Sequence, residues 1–390
     1  MKKKRRVKFY CLFVIIGMLS GFSLHAGNAA GAKLNLLVLK GTPYQRGLIH
    51  GKTLKNEIHT TINSWKKEII AKNVFKDKDP DKLMADFLKK TRFYEAAKKW
   101  TPEILDEIKG IADGSGLPLD LIKWYQVSEE FDTFGRYLLF DRCTSVGISA
   151  SGSQPTMIAQ NMDIPPLQHQ FPILLHIIDE ASGMESYVYT CPGLVALCGM
   201  NNKALGITCN ALTQLKFSAD GLPVAFIVRG VLNQKKYAGA VDFLHRITHA
   251  TGQNYLMGGP QKAESYECSV KQVIRYKPEG KDRMVYHTNH PLKNKNYFPR
   301  FLEALEKRKI TLEDYDSRCH RLKALEKRFK AGDQAVPLPL MKKILSDRTD
   351  YINNDYTYGT LIMVLSAQPE LHLAPGRPDE QTFRVFRFKH

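Results

Sequence analysis

The pattern of apolar residues changes its period sharply at Cys143. Before it, apolar positions recur at helical spacing. After it, short runs alternate or are apolar throughout: "TSVGISASG", "TMIAQNMD", "FPILLHIIDE" and "SYVYTCPGLVALCGMNNKALGITCNAL". Turns rich in Gly, Pro and Asn separate them, so they read as strands of an antiparallel sheet. "LPVAFIVRGVLNQ" and "YAGAVDFLHRITHATG" then read as two helices, and "NYLMGG", "SYECSV", "QVIRYKP" and "MVYHTNH" as further strands. A basic helical region follows at roughly 295–346, and a hairpin turning near Ala367–Pro369 closes the chain. Strands, two helices, strands and a hairpin define sheet layers covered by helices, an α+β protein rather than a parallel βαβ repeat.

The segment before Cys143 is mainly helical. After an apolar strand, Thr42 fits an N-cap and Pro43 the first helical position. Gly47 and Gly51, four apart, strip one helix face of side chains for close packing against another backbone. Gly114-Ser115-Gly116 reads as a turn; without a following GK[ST] it is no phosphate loop.

Residues 1–32 carry the features of an export leader. "MKKKRRVK" is basic, the next sixteen residues are apolar, and Ala30-Gly31-Ala32 supplies a small-residue cleavage site. The apolar run is short for a membrane span, which needs about 20 residues. The expectation is an exported protein, periplasmic or secreted, with no stable membrane insertion after cleavage.

The net charge is +18, of which the six Lys/Arg of the leader are part, leaving +12. The charges are interspersed, as in "LEKRKITLEDYDSRCHRLKALEKRFK", which reads as solvated helix faces. No nucleic-acid motif accompanies them, so nucleic acid is not an expected partner. Cys191, Cys198 and Cys209 match no zinc spacing and read as buried thiols or one or two bridges. His245 and His249 lack an HExxH frame and read as partners of a helix C-terminus. No metal and no cofactor is expected.

Cys143 is the chemistry-bearing candidate. A thiol near pKa 8.5 needs a base to become a good nucleophile at neutral pH. A histidine partner is one solution, with His287 or His290 the candidates. The other is the cysteine's own α-amine, near pKa 7.7–8.0, once the bond before it is cut. Asp163, twenty residues on, ends a returning strand that brings it beside Cys143 to orient that amine. A tetrahedral oxyanion needs fixed donors, and Asn161, Asn210 and Asn289 stand at strand ends.

These residues carry a resemblance. "KGTPYQRGLIHGKTLKNEI", "CTSVGIS…AQNMD", "GMNNKALGITCNAL", "TGQNYLM", "HTNHPL" and "TLIMVLSAQPELHLAPGRP" occur in the order expected of the isopenicillin-N acyltransferase-like family, over roughly residues 36–380. These are autoproteolytic acyltransferases and hydrolases of the N-terminal-nucleophile superfamily. The resemblance implies an α-β-β-α sandwich of two antiparallel sheets between helical layers. It implies scission at Arg142–Cys143, dividing a helical α-chain (33–142) from a catalytic β-chain (143–390), the two remaining associated. It implies Cys143 as nucleophile, Asp163 as the residue orienting the free amine, Asn289 as oxyanion donor and Asn210 as a further active-site asparagine. Related choloylglycine hydrolases carry an arginine shortly before the aspartate; Gln160 stands at the comparable spot and argues against a bile-salt hydrolase.

Two departures shape the expectation. The penicillin-forming relatives have Gly before the cysteine. Arg142 lacks that freedom for attack of sulfur on the preceding carbonyl, and a host protease cutting after Arg142 is the alternative. Export separates the chain from acyl-coenzyme A, which moves the expectation from acyl transfer to hydrolysis of linear amides of small N-acyl compounds through an acyl-thioester. The rival readings are an unprocessed, non-catalytic binding protein of the same fold and a papain-like cysteine peptidase.

Overall fold

The structure is a computed structural model that describes residues 33–71, 79–136, 143–330 and 335–388. The expected leader and Arg142 lie outside the described residues.

Strand β1 (Asn35–Lys40) leads into α1 (Pro43–Thr53). Thr42 caps α1 through its hydroxyl and Gln45 reciprocates, a capping box with Pro43 in the first turn. The helical segment continues through α2 (Lys55–Ala71), α3 (Pro80–Lys90), α4 (Phe93–Trp100), α5 (Pro102–Ser115), α6 (Leu119–Gln126) and α7 (Ser128–Arg136). α1 and α5 meet backbone to backbone. A Cβ on Gly47 would stand 1.9 Å from the Glu107 carbonyl oxygen, and one on Gly110 would stand 2.2 Å from that of Tyr44. The glycine spacing read in α1 therefore has a matching one in α5. Gly114 belongs to that face and is helical, so the expected turn begins only at Gly116, which closes the helix in the left-handed conformation.

From Cys143 onward the strands form two sheets. β2 (Thr144–Ile148) and β3 (Thr156–Asp163) are antiparallel neighbours, with Thr144 opposite Asn161. β4 (Ile173–Asp179), β5 (Met184–Thr190), β6 (Cys198–Asn201) and β7 (Gly206–Ala211) follow in the other sheet. After α8 (Val224–Leu232) and α9 (Tyr237–Arg246) come β8 (Gln253–Gly258), β9 (Ala263–Ser269), β10 (Gln272–Tyr276) and β11 (Met284–His287). The basic region forms α10 (Pro299–Lys307), α11 (Leu312–Asp316), α12 (His320–Arg328) and α13 (Leu338–Leu345). β12 (Thr357–Leu365), β13 (Glu370–Ala374) and β14 (Arg384–Arg387) end the chain.

The eight-stranded sheet runs β1-β4-β5-β6-β7-β8-β9-β10 and the six-stranded sheet β11-β2-β3-β12-β13-β14. Every pairing is antiparallel except β1 with β4, which is parallel. The closing hairpin gains a third strand, β14, at the sheet edge. Val146, Ile148, Met157 and Ala159 pack with Leu322, Leu325, Met341 and Leu345 of α12 and α13. Their strand neighbour Ile158 packs in the other direction, with the main core around the eight-stranded sheet. That core also contains α8 and the N-terminal helices, so the layers run helix, sheet, sheet, helix.

One buried ion pair ties the N-terminal helices to the rest. Arg229 of α8 donates in bidentate fashion to Glu107 of α5, at 2.7 and 2.8 Å. No helix among the described residues is long and apolar enough to cross a membrane.

Candidate active site

Cys143 stands one residue before β2, buried, with Met162 and Asp163 beside it. The hairpin register accounts for this: Thr144 faces Asn161, so Cys143 falls at the end of β3. The Asp163 amide donates to the Cys143 sulfur at 3.4 Å.

The Asp163 carboxylate is clamped. Asn354 Nδ2 donates to Oδ2 at 2.7 Å, and the Thr357 hydroxyl donates to Oδ1 at 2.8 Å. Thr357 is the cross-strand partner of Asp163, and Asn354 sits in the turn that leads into β12.

Asn289 follows β11. One N–H of Nδ2 goes to the Ala211 carbonyl at 3.1 Å, and an amide nitrogen carries two. Its Oδ1 accepts from Arg321 at 3.1 Å. Arg321 also donates to the Cys143 carbonyl and to the Thr144 hydroxyl. One guanidinium thus holds the backbone of Cys143 and orients the Asn289 amide.

Asn210 lies between the sheets. Its Oδ1 accepts from the Ser145 hydroxyl at 2.9 Å and from Asn254 at 3.1 Å. Its Nδ2 has no hydrogen-bond partner in a fully buried setting. Asn161 has a different use: its Nδ2 donates to the Leu345 and Ile352 carbonyls and its Oδ1 accepts from Thr360. That amide anchors β3 to the segment before β12.

Neither histidine of the "HTNH" motif is placed to serve Cys143. His287 Nε2 meets Glu267 at 2.8 Å and Nδ1 lies 2.8 Å from the Thr288 carbonyl, all buried. His290 packs on Tyr315 and lies beside Cys319. His249 bonds through Nε2 to the Leu244 carbonyl near the α9 C-terminus. Among the described residues no group of three or more His, Cys, Asp or Glu side chains is placed to hold a metal ion.

Cys143, Asp163 and Asn289 line one cavity of about 190 Å³. Its walls are mostly apolar, with Trp65, Tyr125, Leu194, Leu197 and Val224 among them. Glu68, Glu129 and Asp132 also line it. Cys209 and Ala211 line this cavity and Asn210 between them does not, its side chain being turned to Ser145. A second cavity, of about 410 Å³, shares Asn289 in its lining with the first.

The six described cysteines are buried and form no disulfide with one another. Burial pushes the Cys191 thiol up to about 12 and raises those of Cys198, Cys209 and Cys268 as well. Cys319 shifts the other way from these four. Although burial opposes it, His290 and Arg321 bring its thiol down to about 6.

The sequence reading missed Arg321, Asn354 and Thr357. Arg321 was hidden in a run read as solvated helix faces, yet it is buried, with its guanidinium on Cys143, Thr144 and Asn289. The signal was weak: Arg321 stands one position before Leu322, which packs on the sheet. Asn354 and Thr357 carried no sequence signal beyond a turn rich in Asn and Asp before a strand.

Helices outside two facing sheets, with a cysteine at the entry to an inner strand, define an N-terminal-nucleophile-type sandwich. The chain belongs to the acyl-coenzyme A:6-aminopenicillanic acid acyl-transferase family, which it matches over residues 150–369. It is 34% identical over 99 residues to protein dcd1A of Dictyostelium discoideum, covering 22% of each chain. It is 28% identical over 185 residues to an N-acylethanolamine-hydrolyzing acid amidase of Caenorhabditis elegans, covering 44% of this chain and 51% of that one. The match thus spans about half the length of the amidase and under a quarter of the other relative. Among solved structures, the Caenorhabditis elegans amidase ortholog superposes with a TM-score of 0.43 at 18% identity, covering 63% of this chain and 100% of that one. A mutant conjugated bile acid hydrolase from Clostridium perfringens gives 0.35 at 13%, covering 63% and 97%.

Proposed function

We propose that this chain is an exported amide hydrolase that uses Cys143 as an N-terminal nucleophile on small N-acyl compounds. The observation that carries the reading is the junction of Cys143 and Asp163: the sulfur accepts from the Asp163 amide, while two side chains fix the carboxylate beside the cysteine. Export rests on the basic and apolar leader. Family membership and the relation to an acid amidase support amide chemistry.

In this mechanism the bond before Cys143 is first cut, freeing the α-amine. The sulfur attacks the amide carbonyl of the substrate and its proton passes to the α-amine. The unused N–H of Asn289 Nδ2 holds the oxyanion, while Asn210, whose amide is turned to Ser145 and does not line the cavity, acts from behind it through Ser145 of β2. Collapse returns the proton to the departing amine and leaves an acyl-thioester. Water then attacks the thioester with the α-amine as base, releasing the acid and the thiol. Asp163 stabilises the ammonium form in each half. Arg321 fixes the Cys143 backbone while its terminal amine works.

N-terminal sequencing and intact mass of the purified protein test this, together with thiol-dependent turnover on a panel of N-acyl amides. A chain beginning at Cys143 that turns over an amide supports the reading. An uncut chain with no turnover sinks it and favours the binding-protein alternative. Cys143→Ala should abolish turnover, and with it cleavage if scission is self-catalysed; normal cleavage of this variant assigns the cut to a host protease.

A further inference from the structure

The second cavity differs from the first in charge. Arg308, Arg318, Arg321, His290 and His320 line it, and among the described residues no Asp or Glu does. The first cavity is apolar with Glu68, Glu129 and Asp132 in its lining. Asn289, the proposed oxyanion donor, lines both. A linear amide bound with its carbonyl at Asn289 places its acyl group on one side and its amine on the other. An anionic amine is repelled by the carboxylates of the first cavity and attracted by the cations of the second.

We infer that the second cavity receives a carboxylate carried by the amine half of the substrate, so that the enzyme hydrolyses N-acyl amino acids in preference to N-acyl derivatives of neutral amines. This rests on the amidase reading above.

One group on the wall reports the charge of the cavity. Cys319 sits on its wall, a buried thiol against Thr288 at 3.4 Å, and the Leu322 amide donates to it at 3.5 Å. His290 and Arg321 hold its thiol near 6, where burial raises those of Cys191 and Cys198. Asp316 is the carboxylate that interacts with His290, and it does not line the cavity. Arg308 and Arg318 are exposed at the rim, placed to meet an incoming anion. Gln214, on the floor, is fixed through Nε2 to the Asn289 carbonyl and the Tyr315 hydroxyl, so the floor is tied to the reaction centre.

The test compares matched substrates, N-octanoylglycine and N-octanoylethanolamine, with N-octanoyltaurine to separate a carboxylate from a sulfonate. The glycine conjugate should give a kcat/KM about tenfold or more above the ethanolamine conjugate, a ratio expected for one charge-assisted contact. Arg318→Gln with Arg308→Gln should erase most of that ratio through KM. Equal or better hydrolysis of the ethanolamide overturns the inference and leaves the amidase reading standing. A taurine conjugate preferred over glycine overturns the assignment to carboxylate.

A second readout needs no turnover. In Cys143→Ser, alkylation of Cys319 by iodoacetamide is followed by peptide mass spectrometry with pH. N-octanoylglycine should raise the pH at which Cys319 becomes reactive, because a nearby anion disfavours the thiolate, whereas the ethanolamide should not. If no amide is hydrolysed but this shift is seen, the amidase reading fails and the anion site stands. If the two compounds act alike, the anion site is wrong.

Discussion

Arg321 reaches back across 178 residues to the carbonyl of Cys143. The same guanidinium meets Asn289 Oδ1 at 3.1 Å. A side chain on a helix of the outer layer therefore sets the relative position of the proposed nucleophile and the proposed oxyanion donor.

Replacing Arg321 should disturb both at once. Arg321→Met is expected to lower kcat by about tenfold to a hundredfold, the range for losing hydrogen bonds from a charged donor. Arg321→Lys should restore only part of this, since an ammonium cannot span the carbonyl, the hydroxyl and the amide in one plane. Steady-state kinetics on one amide substrate decides. If the methionine variant keeps full kcat, Arg321 does not position the site.

The clamp on Asp163 makes Asp163→Asn a test of charge with little change of shape. The new amide oxygen can face Asn354, and the new NH2 can donate to Thr357, whose hydroxyl also accepts. The melting temperature should shift little, while turnover falls by about a hundredfold, within the range for general acid–base groups. A large drop in melting temperature with intact turnover would assign Asp163 a structural role only.

The close approach of α1 and α5 predicts a severe effect from one methyl group. Gly47→Ala would drive a Cβ into the Glu107 carbonyl, at a cost of about 3 kcal/mol or more. Urea unfolding measures it. An unchanged midpoint would mean that these helices separate freely.

Glu130 predicts a pH dependence. Burial holds its carboxyl up to about 7 against an ordinary 4.5. Between those values the folded chain keeps a proton that the unfolded chain has lost, so stability falls as pH rises from about 4.5 to 7. His50 and His249, pushed down to about 4 by burial, act with the opposite sign between about 4 and 6.5. The Glu130 contribution is therefore read as the difference between the wild type and Glu130→Gln in the urea midpoint against pH. The variant should lose the decline; identical curves would show that Glu130 does not titrate in this range.

The fold was legible because period-2 and period-3.6 patterns are local. The strands after Cys143, helices α8 and α9, and the closing hairpin all stand where alternation and turn residues put them. The pairing of β1 with β4 was not legible, since parallel pairing joins segments more than a hundred residues apart and leaves no local mark. The site was legible for the same reason in part: a hairpin returns Asp163 to Cys143 at a spacing visible in the chain. Arg321, Asn354 and Thr357 arrive from distant elements, and a buried arginine in a charged helix looks like any other until tertiary packing selects it.

The parallel strand β1 and the carboxylate of Glu107 both precede Cys143 in the chain, and both are built into elements that come after it. Scission before Cys143 would turn a fold written as one polymer into a two-component assembly whose seam runs through a continuous sheet. Dilution alone would not part such fragments, because leaving requires unzipping a strand and stranding a buried arginine. Once parted, they would have to find each other by collision, so the mature protein would be easier to preserve than to rebuild.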